Sequence, residues 1–387
     1  MKHIRILVLI LCVCFVSAAW AQQPAGKRRS DWSEFHRQNM ARWNPYEHML
    51  NVHNVGKLQL KWSYSIGRTD SPPIVSTGVV YIRTDSGLLY AIKASNGTLL
   101  WSYQTANGTC CTGPSAAIAN GVVYIGSLDG LVYALTASTG AFLWSYQTAA
   151  DVESSPTVVN GVVYIGSDDG NVYALDAGTG ALLWSYTTGG YVTCAPAVAN
   201  GMVYFGSYDG NIYALDASTG AEVWSYYVGG NYYGPSSPAV ANGAVYVGAG
   251  DTNKVYALNA STGAEVWSYN IGGGYPQGSS PAVANGVVYI GSGDGNLYAL
   301  RATNGTKLWR NSLGNNVASS PAVANGVVFA GTNGGNLSAV NAKTGAGLWS
   351  YYAGDSFSSS PVVANGVVYI GETNGNLYAF GLKKGRR

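Results

Sequence analysis

A tryptophan recurs at Trp62, Trp101, Trp144, Trp184, Trp224, Trp267, Trp309 and Trp349, at spacings of 39 to 43 residues. A period of that length belongs to chains that stack or ring one supersecondary unit many times. The unit is plainest at 154–186, SSPTVVNGVVYIGSDDGNVYALDAGTGALLWSY. Asn160-Gly161 is the signal for a tight hairpin, because both turn positions require positive φ, and Asp169-Gly170 is a second hairpin signal. Gly178-Thr179-Gly180 supplies a third turn, and the runs between turns are β-branched and aromatic. Four antiparallel strands joined by turns too short for a helix make one propeller blade.

The first hairpin recurs at Asn120-Gly121, Asn160-Gly161, Asn200-Gly201, Asn242-Gly243, Asn285-Gly286, Asn325-Gly326 and Asn365-Gly366, with Thr77-Gly78 as the one departure. The last unit ends in LYAFGL and KKGRR and lacks its Trp strand, while residues 58–64, LQLKWSY, form a Trp strand with nothing before it. Joining the two completes the ring and covers both open edges. The expectation is all-β: an eight-bladed propeller of four-stranded antiparallel blades, closed by the N-terminal Trp strand. One large aromatic at a fixed place in every blade is expected to pack neighbouring blades together.

Taken in order, the chain opens with a basic start, an apolar run from Ile6 to about Val16 and Ala19-Trp20-Ala21, which reads as a signal peptide over 1–21. Cys12 and Cys14 sit inside that run and are poorly placed for a lipid anchor. Residues 22–56 lack the repeat and are expected to pack Trp32, Phe35 and Trp43 across the ring. The alternative is a docking arm in which His36, His48 and His53 serve as metal ligands, although their spacings match no standard pair. The propeller spans 57–382 and a basic tail 383–387. The expected product is monomeric and soluble, in the periplasm or secreted, where thiols meet an oxidising environment. Charged residues make up 10 % and the net charge is +2, so nucleic acid is not an expected partner. No later apolar run is long enough to cross a bilayer.

The Asn-Gly and Ser-Thr-Gly turns hardly change between repeats, whereas the loops at the opposite mouth vary, which places the distinguishing contacts there. Adjacent Cys110 and Cys111 fall in one such loop. They allow a vicinal disulfide, two thiols, or one bond to Cys194. Loops rich in Tyr, Gly, Asn and Ser bring Tyr191, Tyr232, Tyr233 and Tyr275 to the same mouth, a composition suited to a protein, peptide or glycan. Asp129, Asp151, Glu153, Asp168, Asp169, Asp209, Asp251 and Asp294 also gather there, most of them as turn residues. The sequence holds no HExxH, GxSxG, Walker loop, CxxCH or metal-spaced Cys/His cluster, and no histidine after His53. No catalytic residue, metal site or cofactor is therefore expected from motifs, and a histidine base within the ring is excluded.

The repeat ending in a fixed Trp, such as ALDASTGAEVW at 214–224, resembles the pyrroloquinoline quinone (PQQ) repeat family. That family includes quinoprotein alcohol dehydrogenases and the propeller lipoprotein of outer-membrane barrel assembly. The entry segment DWSEFHRQNMARWNPYE is similar to that of secreted bacterial members. The resemblance implies a place for PQQ and Ca²⁺ at Cys110, Cys111, Ser154, Ser155, Asp169 and Asp209, with Asp168 as another stand-in for the family's metal-binding Glu. The aromatic under the quinone would fall near Thr193-Cys194, and the catalytic acid would lie between Glu222 and Asp251, where this chain has none. The reading is a binding or scaffold propeller, with a divergent PQQ-dependent oxidoreductase and an outer-membrane assembly partner as alternatives.

Overall fold

The computed structural model describes residues 30–37, 40–105, 113–229, 234–272 and 278–383. Cys110, Cys111, Tyr232, Tyr233 and Tyr275 lie outside them, as do the leader 1–21 and residues 384–387 of the tail. In blade 3, strands Thr157–Val159, Val162–Gly166, Asn171–Asp176 and Leu182–Thr187 pair in that order, antiparallel throughout. Asn160 and Gly161 both have positive φ (52° and 80°), which sets the twist of the hairpin between the first two strands. The same sheet recurs eight times, and the first strands of successive blades lie beside one another around the channel.

Ring closure follows the expectation. Val362–Ala364, Val367–Gly371 and Asn376–Gly381 form three strands of blade 8, and Gln59–Ser65 pairs antiparallel with the third of them, Trp62 opposite Ala379. Seven of the eight blades are then tied to the next in one way; at the remaining junction, blade 7 to blade 8, Phe329 stands for the tyrosine and the Trp349 indole donates to the Leu58 carbonyl (3.2 Å). The Trp144 indole N–H and the Tyr124 hydroxyl both donate to the Ala177 carbonyl of the following blade, at 3.1 and 3.0 Å. Trp144 also covers Gly180, where a Cβ would come within 2.5 Å of the ring. The glycine of that turn is thus set by the tryptophan of the blade before it.

The segment before the ring closes one mouth of the channel. Its described residues reach all eight blades in turn, through backbone carbonyls at five and side chains at three. Val75 N–H donates to the Trp32 carbonyl (2.7 Å), Ile118 N–H to Ser33 (2.8 Å) and Val158 N–H to the Glu34 carboxylate (3.2 Å). His36 Nε2 donates to the Ala195 carbonyl (3.2 Å). Val240, Val283 and Val323 then donate to the carbonyls of Met40, Ala41 and Arg42, and Asn44 Nδ2 donates to the Val363 carbonyl. The innermost strands would otherwise present bare edges to the channel. Asp31 holds Thr77 and Asn365, and Glu47 holds the Gly366 N–H, so the segment sits on the Asn-Gly side.

This circuit buries charge. Desolvation pushes the Glu34 pKa up to about 7, against the Val158 N–H and the Arg37 charge that pull it down. Desolvation likewise pushes His36 down to about 3, so its ring is neutral. Between 4.5 and about 7 folded Glu34 keeps a proton that the unfolded chain has released, so this group's contribution to stability declines as pH rises through that window. Glu34→Gln is therefore expected to exceed the parent in stability by about 3 kcal/mol at pH 8, and by far less near pH 4. Urea midpoints at both pH values check this; a difference independent of pH would contradict it.

Candidate functional site

The other mouth opens into a cup of about 530 Å³ whose floor is Phe35 of the sealing segment. Its walls come from equivalent positions in all eight blades. Three residues before the inner-strand position held by Pro156 in blade 3, the ring reads Asp70, Gly113, Glu153, Thr193, Pro235, Gly278, Ala318 and Ser358, and every member lines the cup. This ring is chemically varied, whereas the two positions after it are mostly serine.

The serines fasten blades together. Ser155 Oγ accepts the Ser115 N–H of the preceding blade at 2.9 Å, as Ser237, Ser320 and Ser360 do for Ala195, Ser280 and Ser320. Ser154 Oγ donates to the Cys194 carbonyl at 2.7 Å. Cys194 replaces a serine, and its buried Sγ accepts the Gly206 N–H at 3.1 Å, as the Ser236 and Ser279 hydroxyls do for Gly248 and Gly291. Burial pushes the Cys194 thiol up to about 12, so it stays protonated and is a poor nucleophile.

Asp169 and Asp209 are also bound, by their own blade and by the loop that enters it from the blade before. Asp169 accepts from the Asn171 and Ala149 N–H groups and from the Tyr173 hydroxyl (2.6 Å); Asp209 repeats this with Asn211, Gly189 and Tyr213 (2.7 Å). Neither lines the cup. Tyr191 is exposed at the rim, its ring 6.0 Å from that of Tyr208, which does line the cup.

The cup therefore takes its character from residues that depart from the repeat. Asp70 and Glu153 are its carboxylates, Tyr208 its aromatic ring, and Asn316 and Asn333 its amides. Burial raises the Asp70 pKa, offset by hydrogen bonds from Thr373 and Ser358. Beside Glu153, desolvation and the neighbouring acids Glu153, Asp151 and Asp169 push Asp168 up to about 7. No Lys, Arg or His is among the described residues that line the cup. Arg83 lies behind Gly113; burial lowers its pKa, and Asp85, Asp129 and Glu153 partly restore it. It stands where the other blades carry glycine, as at Gly166, whose Cβ would meet the Val192 carbonyl oxygen at 2.2 Å. Asp70, Tyr208, Arg83, Asn316 and Asn333 were not among the site residues expected from sequence. Their departure from the repeat was the available signal.

A family model described as outer membrane protein assembly factor BamB matches residues 59–156, 107–193, 149–280 and 251–387, which together take in the whole ring. The chain belongs to this family of PQQ-like propellers. Among its relatives, the dehydrogenase subunit of alcohol dehydrogenase (quinone) from Gluconobacter oxydans is 34% identical over 82 residues, 20% of this chain and 11% of that one. Quinoprotein ethanol dehydrogenase from Pseudomonas aeruginosa is 40% identical over 67 residues, 16% of this chain and 11% of that one. The matched stretches thus span about a tenth of those relatives' length. Solved structures that share the fold include two of this kind. BamB from Moraxella catarrhalis superposes with a TM-score of 0.70 at 22% identity, over 85% of this chain and 99% of that one. Quinohemoprotein alcohol dehydrogenase from Comamonas testosteroni does so at 0.78 and 18%, over 94% and 82%.

The family raises the question of PQQ with Ca²⁺, and the donor chemistry of the described residues does not fit that pair. Ser154 and Ser155 are used between blades, Asp169 and Asp209 are used by their own blade and the loop entering it, and no group of three His, Cys, Asp or Glu side chains among the described residues could hold a metal. No helix among those residues is long and apolar enough to cross a membrane.

Proposed function

We propose that the chain is an extracytoplasmic recognition propeller that holds a cationic group of a protein or peptide partner, a lysine or arginine side chain, in the open cup. The observation that carries this reading is the lining: two carboxylates, many hydroxyls and a tyrosine ring, with no cationic side chain among the described residues. Asp70 and Glu153 supply the charge, and Tyr208 offers a face to a cation. The sealed floor makes the channel a blind cup, so a ligand enters and leaves by one mouth. Export by a leader cleaved after Ala21 belongs to the same proposal.

Asp70→Asn with Glu153→Gln tests it. Binding of a trilysine peptide, followed by calorimetry, is expected to weaken at least about tenfold, a loss of about 1.4 kcal/mol. The parent's affinity is expected to fall as salt is raised from roughly 50 to 500 mM, because the mouth is open to screening ions. Equal affinity in parent and variant, or preference for a triglutamate peptide, would overturn the reading.

A further inference from the structure

Between neighbouring blades, a tyrosine of the outermost strand meets a tyrosine of the next blade's third strand. The pairs are Tyr64–Tyr90, Tyr103–Tyr133, Tyr146–Tyr173, Tyr186–Tyr213, Tyr226–Tyr256, Tyr269–Tyr298 and Tyr351–Tyr378, with ring centroids 5.6 to 6.5 Å apart. The eighth interface, between blades 6 and 7, has Asn311 and Ser338 at these two positions. Both rings are missing at once, and a groove of about 520 Å³ lies there.

A third change accompanies them. In blades 2, 3, 4 and 6 the inner tyrosine hydroxyl donates to the Asp four residues earlier: Asp129, Asp169, Asp209 and Asp294, at 2.6 to 2.7 Å. Blade 7 has Gly334 at that place, and blades 1, 5 and 8, which keep their tyrosines, have Ser86, Thr252 and Asn374. With glycine at that place, blade 7 has no carboxylate left behind without its tyrosine donor, a loss that would be unfavourable if buried. What remains there are the apolar side chains Leu313, Val340, Leu348 and Trp349, with Asn311 and Ser338 among the polar groups. Asn311 Nδ2 donates to the Gly345 carbonyl at 2.7 Å, and its Oδ1 remains as an acceptor.

We infer that the groove between blades 6 and 7 is a binding site for a small free phenol, whose ring takes the place of the absent tyrosine pair. The open groove left by the missing ring pair has room for a ring-sized ligand, its volume is in the range of small-molecule sites, and its lining offers apolar side chains beside polar ones, as an amphipathic ring requires. The acceptor of Asn311 and the hydroxyl of Ser338 answer the phenol hydroxyl. The site is on the circumference of the ring and does not depend on the cup.

The test uses p-cresol, the side-chain analogue of tyrosine, against the purified chain. The parent is expected to bind one equivalent saturably. Asn311→Tyr with Ser338→Tyr restores the arrangement of the other seven interfaces; it is expected to weaken binding more than about tenfold, over 1.4 kcal/mol, and to raise the thermal midpoint. Ser338→Tyr alone is expected to weaken binding in the same direction and guards against failure of the double variant to fold. Absence of saturable binding to the parent, or equal binding to parent and filled variants, would overturn the inference.

Discussion

A chain begun at Ile66, without the sealing segment and the closing strand Gln59–Ser65, is expected not to yield a stable monomeric ring. Blade 8 would keep three strands, and Asn376–Gly381 would lose its partner along the register from Asn376 to Gly381. The Trp62 indole bond to the Ala94 carbonyl (2.9 Å) and the Tyr64–Tyr90 contact would go as well, so blades 8 and 1 would lose one of their ties. In a ring each blade is stabilised by its two neighbours, and a broken junction leaves two open faces with a free strand edge. Light scattering and circular dichroism should show oligomers or aggregates without a cooperative thermal transition. A monomer that melts like the chain begun at Ser30 would contradict the closure account.

Arg42→Ala is the point change expected to cost most. The guanidinium is fully buried and donates to the carbonyls of Phe35, Pro321, Ser320 and Pro361, at 2.7 to 3.3 Å. It also lies over the rings of Phe35 and Trp32, 4.6 and 5.4 Å from their centroids. Burial pulls its pKa down to about 9, so it remains charged at neutral pH, surrounded by carbonyl dipoles. Alanine would leave four carbonyls without these donors and a hole under two rings, a loss of about 3–5 kcal/mol. Lysine carries the charge without the planar fork and is expected to recover only part of this. Urea midpoints measure it, and a loss under about 1 kcal/mol would show that the sealing segment is held mainly by its backbone bonds.

The repeat carried the fold because each structural device is tied to one residue type at one position. Asn-Gly marks the inner hairpin, the tryptophan marks the outer strand, and the orphan LQLKWSY announces its own partner. The site was less legible for the opposite reason. Ser154 and Ser155 drew notice as a pair, yet the same pair recurs at 236–237, 279–280, 319–320 and 359–360, as expected of a joint between blades. Asp169 and Asp209 recur with a tyrosine four residues on, and the structure shows that hydroxyl consuming the carboxylate. Asp70, Tyr208 and Arg83 were hidden because each is ordinary in type and informative only against its equivalents in other blades. That the segment before the ring packs across it was legible from its aromatics, but the blade-by-blade contacts from Trp32 to Asn44 were not, since most of those bonds use backbone groups that any residue supplies.

Recognition through the Asp70 and Glu153 carboxylates of the cup is proposed here in place of quinone chemistry. It is tested most directly by titrating the purified chain in parallel with trilysine peptide and with PQQ plus Ca²⁺, following heat and tryptophan fluorescence. The account predicts saturable peptide binding that weakens with salt and is lost in Asp70→Asn/Glu153→Gln, and no PQQ binding at tens of micromolar, an affinity weaker than about −6 kcal/mol. Micromolar PQQ binding that requires Ca²⁺ and weakens when Cys110 and Cys111 become serine would contradict it and make the chain a divergent quinoprotein.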